Sequence, residues 1–196
     1  MSMPYLGHVL NGWTMPYKCY FITQTVKNHV PVNIALVKTL RLCLQPLSPE
    51  EVRRKPENER SWKWFSILVK SSEKEMNTDD LLYAKGIFYR IDTVQPWNDT
   101  GYRRYHATQY YTGKGPVYSV IYKSNGADSG NPPDEYAYQK GGTVAVSGKN
   151  TLARTDYTFT GWNTLSDGTG TQYSENDDIE IGTSNITLFA QWSVST

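Results

Sequence analysis

The chain has 196 residues, of which 38% are apolar and 13% aromatic, including 15 Tyr and 6 Trp; that length suits one large or two small domains, and the aromatic load favours pleated sheets over helices. The net charge of +1 conceals an asymmetry: residues 1–116 carry 16 Lys+Arg against 10 Asp+Glu, whereas residues 117–196 carry 4 against 9. Two cysteines, Cys19 and Cys43, exclude a disulfide framework and a paired zinc site, and the lack of a long apolar run excludes a membrane-spanning helix.

Taken in chain order, residues 1–18 mix Pro, Gly and aromatics without period and read as an extended arm; with no basic leader or signal-length apolar run, the expectation is folding in a reducing cytoplasm with both thiols buried. Strand patterns follow at 19–26 and 37–45, where Leu40, Leu42 and Leu44 alternate with Arg41 and Cys43. Ser48 and Glu51 have capping-box spacing with Pro49 at the first helical position, so residues 48–55 open one or two helical turns that Pro56 closes. In residues 61–70 Trp62, Trp64, Ser66 and Leu68 share one face and Phe65, Ile67 and Val69 the other. Lys85-Gly86 between two apolar runs marks a tight hairpin. Residues 95–101 form a further turn. Tyr102, Arg104, His106 and Thr108 then oppose Arg103, Tyr105, Ala107 and Gln109 on the last strand of this half.

Residues 112–116, "TGKGP", are the linker candidate. The half beyond it is a compact unit near the lower size limit for folding without staples. It runs through "VYSVIYK", a polar loop, "KGGTV", "TDYTFTGWNT", a Gly-rich loop and "NITLFAQWSV"; a helical turn near Asp134 is the sole helix expected. In the Gly161-Trp162-Asn163 step, Gly161 allows close backbone approach, Asn163 tolerates a left-handed turn, and Trp162 packs down among Tyr157, Phe159, Ile179, Ile181, Leu188 and Trp192. Tyr157, Phe159, Trp162 and Trp192 are therefore the expected core of this half. Sugar stacking on an exposed Trp162 is the alternative.

The motifs "VYSVIYKSNGADSG", "TDYTFTGWNT", "SDGTGTQYSENDDIEI" and "ITLFAQW" together resemble the Listeria-Bacteroides repeat over residues 117–193, in that family's order. The resemblance implies a β-grasp-like fold and a spacer or adhesive role, and brings no catalytic residues. The first half, in "LQPLSPEEVRRKPENERSWKW", "DDLLYAKGIFYRIDTVQPW" and "GYRRYHATQYY", resembles phage head-closure or stopper proteins over residues 20–111. That implies a small β-barrel stacking as a ring beneath a portal. The fold expectation is mainly β: an arm (1–18), a barrel with a short helix (19–111), a linker (112–116) and a β-grasp-like domain (117–196).

No catalytic constellation stands out. His8, His29 and His106 lack metal-ligand spacing and read as solvent-facing or hydrogen-bonded. Asp79-Asp80 and Asp177-Asp178 read as turn residues, and "DGTGT" lacks the helix and Lys of a phosphate loop. Arg53, Arg54, Arg60, Lys63, Arg103 and Arg104, interleaved with Trp62, Trp64, Trp97 and Tyr105, form the main positive constellation. It reads first as a protein interface, with DNA-channel lining and plain solvated surface as alternatives. The functional expectation is a non-enzymatic component of a phage virion neck, assembled in the host cytoplasm. It would form a ring of six or twelve copies between portal or adaptor and tail proteins, with DNA passing without sequence recognition. No cofactor, metal or membrane is expected, and the second unit would make at most weak contact with host glycans. The alternative from another class is a bacterial surface adhesion or spacer module.

Overall fold

The computed structural model describes residues 13–27, 30–95, 101–110 and 118–195. The protein is mainly β and divides into two compact units, one formed by Met1–Ile22 with Val37–Gly113, the other by Thr23–Leu36 with Lys114–Thr196. The far end of the first hairpin thus goes with the second unit, not with the barrel. The linker candidate lies outside the described residues, as do Trp97, His8, His29 and residues 1–12 of the arm.

The first unit is built on β1 (Met15–Lys27), β2 (Val30–Pro46), β3 (Trp64–Lys70), β4 (Leu81–Ala84), β5 (Ile87–Gln95) and β6 (Tyr102–Gln109). These strands follow the order β1-β4-β5-β6-β3-β2, and β1 also pairs with β2, so the sheet closes into a six-stranded barrel. Two stretches not read as strand are strand: Met15–Lys18, taken as arm, open β1, and Val30–Leu36 open β2. Pro31 and Asn33 hide the second, because Pro in a β pattern argues against a strand.

Antiparallel register lines up Leu44, Ile67 and Tyr105, and likewise Phe65, Ala107 and Ile91. Strict alternation sends these inward, and Leu42, Ile67, Val69, Ile91, Tyr105 and Ala107 are all buried, so side chains fill the barrel. Lys85 and Gly86 join β4 to β5 with φ of 51° and 79°. Positive φ at both central residues matches the right-handed twist of the flanking strands, which favours Gly at the second position. On β5 the register shifts between Ile91 and Thr93, and the bulge leaves Asp92 outside the ladder.

Between β2 and β3 the chain crosses the barrel as a strap. Ser48 caps α1 (Pro49–Arg53): its hydroxyl accepts from the Glu51 amide at 3.3 Å while the Glu51 carboxylate accepts from the Ser48 amide at 3.3 Å. A 3-10 turn, Glu57–Glu59, continues it.

The second unit has a mixed sheet in the order β8 (Tyr136–Tyr138), β7 (Tyr118–Lys123), β13 (Ile186–Val194), β10 (Tyr157–Asn163), β11 (Gln172–Tyr173). Its first and last long strands, β7 and β13, are parallel neighbours at the centre, as a β-grasp-like sheet requires, and the other pairings are antiparallel. Ala35 and Leu36 of β2 pair with Ala137 and Tyr136 and so extend this sheet past β8. A two-stranded sheet, β9 (Thr143–Ala145) with β12 (Asp178–Glu180), stands apart from it. Residues 131–135, where a helical turn was expected, are irregular.

The Gly161-Trp162-Asn163 step is not a turn. It lies inside β10, and the register against β13 shifts between Phe159 and Gly161. Gly161 has φ of 129°, and a Cβ there would stand 2.8 Å from the Tyr173 carbonyl oxygen on β11, so glycine is required both by conformation and by strand approach.

Candidate interaction surface

The strap carries four of the six basic residues singled out by sequence. Arg53 and Arg54 end α1 in solvent, and Arg54 meets Glu50 at 3.5 Å with both side chains about three-quarters exposed (77% and 81%). Such a pair contributes little. Arg60 donates its Nε to the Lys55 carbonyl at 3.0 Å, while Lys63, also exposed, engages the barrel through its carbonyl, which accepts from the Gln109 amide at 3.3 Å. Glu50 and Glu57 are exposed on the same segment. The strap therefore presents mixed charge with a positive excess, a face suited to a protein partner of patterned charge.

Arg103 and Arg104 do not join that face. Adjacent residues on a strand point to opposite sides, and the two guanidiniums turn apart: Arg103 donates to the Ser71 and Glu73 carbonyls, whereas Arg104 faces the strap. There it donates to Ser66 Oγ at 2.9 Å and to Glu51 Oε1 at 2.6 Å. A second ion pair runs in the reverse sense, from Lys55 of the strap to Asp92 of β5 at 3.0 Å. Lys55 also lies 3.8 Å from the Trp64 ring centroid, and Trp64 Nε1 donates to the Glu59 carbonyl at 2.9 Å.

Of the interleaved aromatics, Trp62 stacks on Trp64 at 6.1 Å and is 38% exposed, while Tyr105 lies wholly inside the barrel. The constellation thus resolves into an exposed group (Arg53, Arg54, Arg60, Lys63, Trp62) and a clamp beneath it.

The clamp includes residues that sequence reasoning did not assemble: Glu51, Lys55, Ser66, Asp92, Gln95 and His106. His106 is buried at 7% exposure, stands between Ser66 and Thr93 in the register, and lies 3.3 Å from Gln95 through Nε2. Burial, then the Lys55 and Arg104 charges, hold its imidazole below the ordinary range despite Glu51 and Asp92 nearby. For Glu51, burial alone would raise the carboxyl, but hydrogen bonds from Ser48 and the Arg104 guanidinium outweigh it, and the net shift is downward. Asp92 follows the same logic: burial raises, while the Thr93 hydroxyl and Lys55 lower it further. The available signal was a polar row, Ser66 and His106, at outward positions of two otherwise covered strands.

In the second unit Trp162 is fully buried in a cluster with Val120, Tyr122, Leu152, Ile181 and Leu188. Tyr122 and Phe159 meet its ring edge-on at 4.7 and 5.2 Å, Phe159 meets Trp192 at 5.7 Å, and Trp162 Nε1 donates to the Ser147 carbonyl at 2.8 Å. Tyr157, expected in this core, lies outside the cluster, with the Arg154 guanidinium 3.8 Å from its ring centroid. Asn163, expected to adopt a left-handed turn, stays extended and organises the next loop instead. Its amide donates to the Gly168 and Gly170 carbonyls at 3.0 and 3.2 Å, and its oxygen accepts from the Leu165 amide at 2.9 Å.

Of the paired acids, Asp178 opens β12, while the others lie in turns or just before strands. Asp80, buried, accepts from the Ile22 and Asn77 amides, each at 2.7 Å, and Asp177 accepts from the Ser174 amide at 2.6 Å. Among the described residues, no group of three or more His, Cys, Asp or Glu is placed to hold a metal. No helix among them is long and apolar enough to cross a membrane.

Residues 118–191 match the family model described as the Listeria-Bacteroides repeat domain. Two proteins of Evansella cellulosilytica are similar to part of the chain. One, named "Putative membrane protein", is 43% identical over 76 residues, covering 39% of this chain and 11% of that protein. The other, named "Putative Gly-rich membrane protein", is 40% identical over 78 residues, covering 40% of this chain and 9% of that protein. The chain thus spans about a tenth of the length of these relatives.

Proposed function

We propose that the protein is a non-enzymatic structural component of a phage virion neck. Its barrel would sit in a ring of six or twelve copies between portal or adaptor and tail proteins, with the repeat-like unit facing outward as decoration. The observation that carries this reading is the side-chain-filled six-stranded barrel crossed by a capped strap, with the Gln45-Pro46 strand end, the Ser48 cap and the Lys85-Gly86 hairpin in the order that the head-closure resemblance requires. Supporting it is the exposed strap face, whose Arg53, Arg54, Arg60 and Lys63 with Trp62 suit contacts between neighbouring protein copies better than a DNA-gripping groove. DNA would pass through the ring, not through a barrel, without sequence recognition.

Native mass spectrometry and electron microscopy of the purified chain with and without portal and adaptor proteins test this. Closed rings that co-assemble with portal complexes are expected. A monomer that binds glycans and never joins them overturns it. A second reading, a bacterial cell-surface spacer or adhesion module, draws on the repeat match and on the names of the two relatives; it requires fractionation with the cell envelope, which separating lysed cells into envelope and soluble fractions measures.

A further inference from the structure

We propose that the strap Ser48–Lys63 is an acid-released latch: two crossed ion pairs hold it on the barrel around a buried, neutral His106, and protonation of that imidazole lets it go. The inference stands whether or not the protein belongs to a neck.

It rests first on how the strap is held. Neither α1 nor the 3-10 turn contributes a buried residue, and a five-residue helix does not persist without tertiary support. Attachment therefore rests on a few polar and ring contacts: Arg104 to Glu51, Lys55 to Asp92, Lys55 over Trp64, Trp64 Nε1 to the Glu59 carbonyl, the Gln109 amide to the Lys63 carbonyl, and Trp62 stacked on Trp64. The ion pairs run in opposite senses, one cation from the barrel and one from the strap, so the four charges cancel pairwise where the segment meets the barrel.

His106 is placed where an added charge disturbs both. The charged groups facing it are Lys55 and Glu51 from the strap, Arg104 from its own strand and Asp92 from β5. These form two matched pairs, so a neutral ring leaves the set balanced and an imidazolium adds an unmatched cation at a buried position. Gln95 Nε2 faces His106 Nε2 at 3.3 Å; a protonated Nε2 becomes a second donor there, and the Gln95 amide must turn over to receive it.

The sign follows from linkage. With the strap seated the imidazole resists protonation, whereas lifting the strap removes its cover and the Lys55 charge and lets the imidazole rise towards its ordinary value of 6.5. Opening therefore takes up a proton, and the opening constant rises by up to about tenfold per pH unit below that value. Full stability of the latch is present above it and is lost as pH falls towards the seated value.

Hydrogen exchange on the full chain, corrected for intrinsic rates and compared at about pH 7.5 and about pH 5.5, tests this. The amides of Val52, Arg54, Lys55 and Trp62 are expected to lose protection by up to about tenfold per unit, while those of Ile67 and Tyr105 hold theirs. His106→Gln keeps an amide oxygen for Gln95 and cannot titrate, so its strap protection is expected to be flat across the window. Unchanged strap protection in the native protein, or an equal loss in His106→Gln, overturns the proposal. Should the variant fail to fold, NMR titration of the native His106 ring decides: its midpoint must lie below 6.5 and coincide with that of the strap amides, and separate midpoints overturn the latch.

Discussion

Trp162→Ala removes a ring met edge-on by Tyr122 and Phe159 and orphans the Ser147 carbonyl. A loss of about 3–5 kcal/mol in denaturant unfolding is expected, whereas an unchanged Tm with lost sugar binding would mark Trp162 as a ligand-facing residue. Asp80→Ala leaves the Ile22 and Asn77 amides without their acceptor, at about 1–3 kcal/mol for each, and chemical denaturation reads the sum. The burial of Trp162 was legible because alternating apolar residues surround it in sequence. The work of Asn163 was not, since its partners are loop carbonyls whose positions depend on the bulge at Gly161. Tyr157 shows the converse: its place in the alternation suggested core, but it lies near the start of β10, where Arg154 covers it.

At the level of elements, the strap was the most legible feature, because capping chemistry is local and Ser48, Pro49 and Glu51 carry it in four residues. Ser48→Ala removes the cap and a hydrogen-bond donor that helps to aim Glu51 at Arg104. A cost of about 1 kcal/mol is expected, read as faster exchange of the strap amides with little change in the barrel. The Lys85-Gly86 hairpin was equally plain. The clamp beneath the strap was not legible, because Glu51 and Arg104, or Lys55 and Asp92, meet only after β3, β5 and β6 have paired, and no local period joins them. Alternation did separate Arg103 from Arg104, but it could not say that one would bind carbonyls and the other a carboxylate.

For the whole molecule, acid stability draws on carboxyls with opposed signs, Glu51 and Asp92 against Asp80, with the exposed Asp128 and Asp167 also held low by hydrogen bonds from Thr155 and Thr169. Glu51 and Asp92 are held below their ordinary values of 4.5 and 3.8, so the stability they contribute is complete above those values and is lost as pH falls through the lower folded ones. Burial pushes Asp80 up, so its contribution is present at low pH and lost as pH rises through its folded value. Thermal melts are expected to show Tm dropping below about pH 4, and the drop shrinks in Glu51→Gln, which is less stable at neutral pH but has no carboxyl to titrate in the acid range. The mainly β character and the barrel were readable from aromatics, alternation and turns. The membership of Thr23–Leu36 in the second unit was not, because it hangs on the pairing of Leu36 with Tyr136, distant in sequence and unmarked by any motif.

That pairing bears on how the protein is made. Ala35 and Leu36 leave the ribosome before the barrel is complete, yet the strand they join, β8, is synthesised only after β6 has been made. The first-made hairpin must therefore wait, half of it already committed to the barrel, for the last third of the chain. A chain cut at residue 114 strips β8 of its β2 partner in one piece and Ala35 and Leu36 of theirs in the other, and mixing the pieces offers the complementary strand to each.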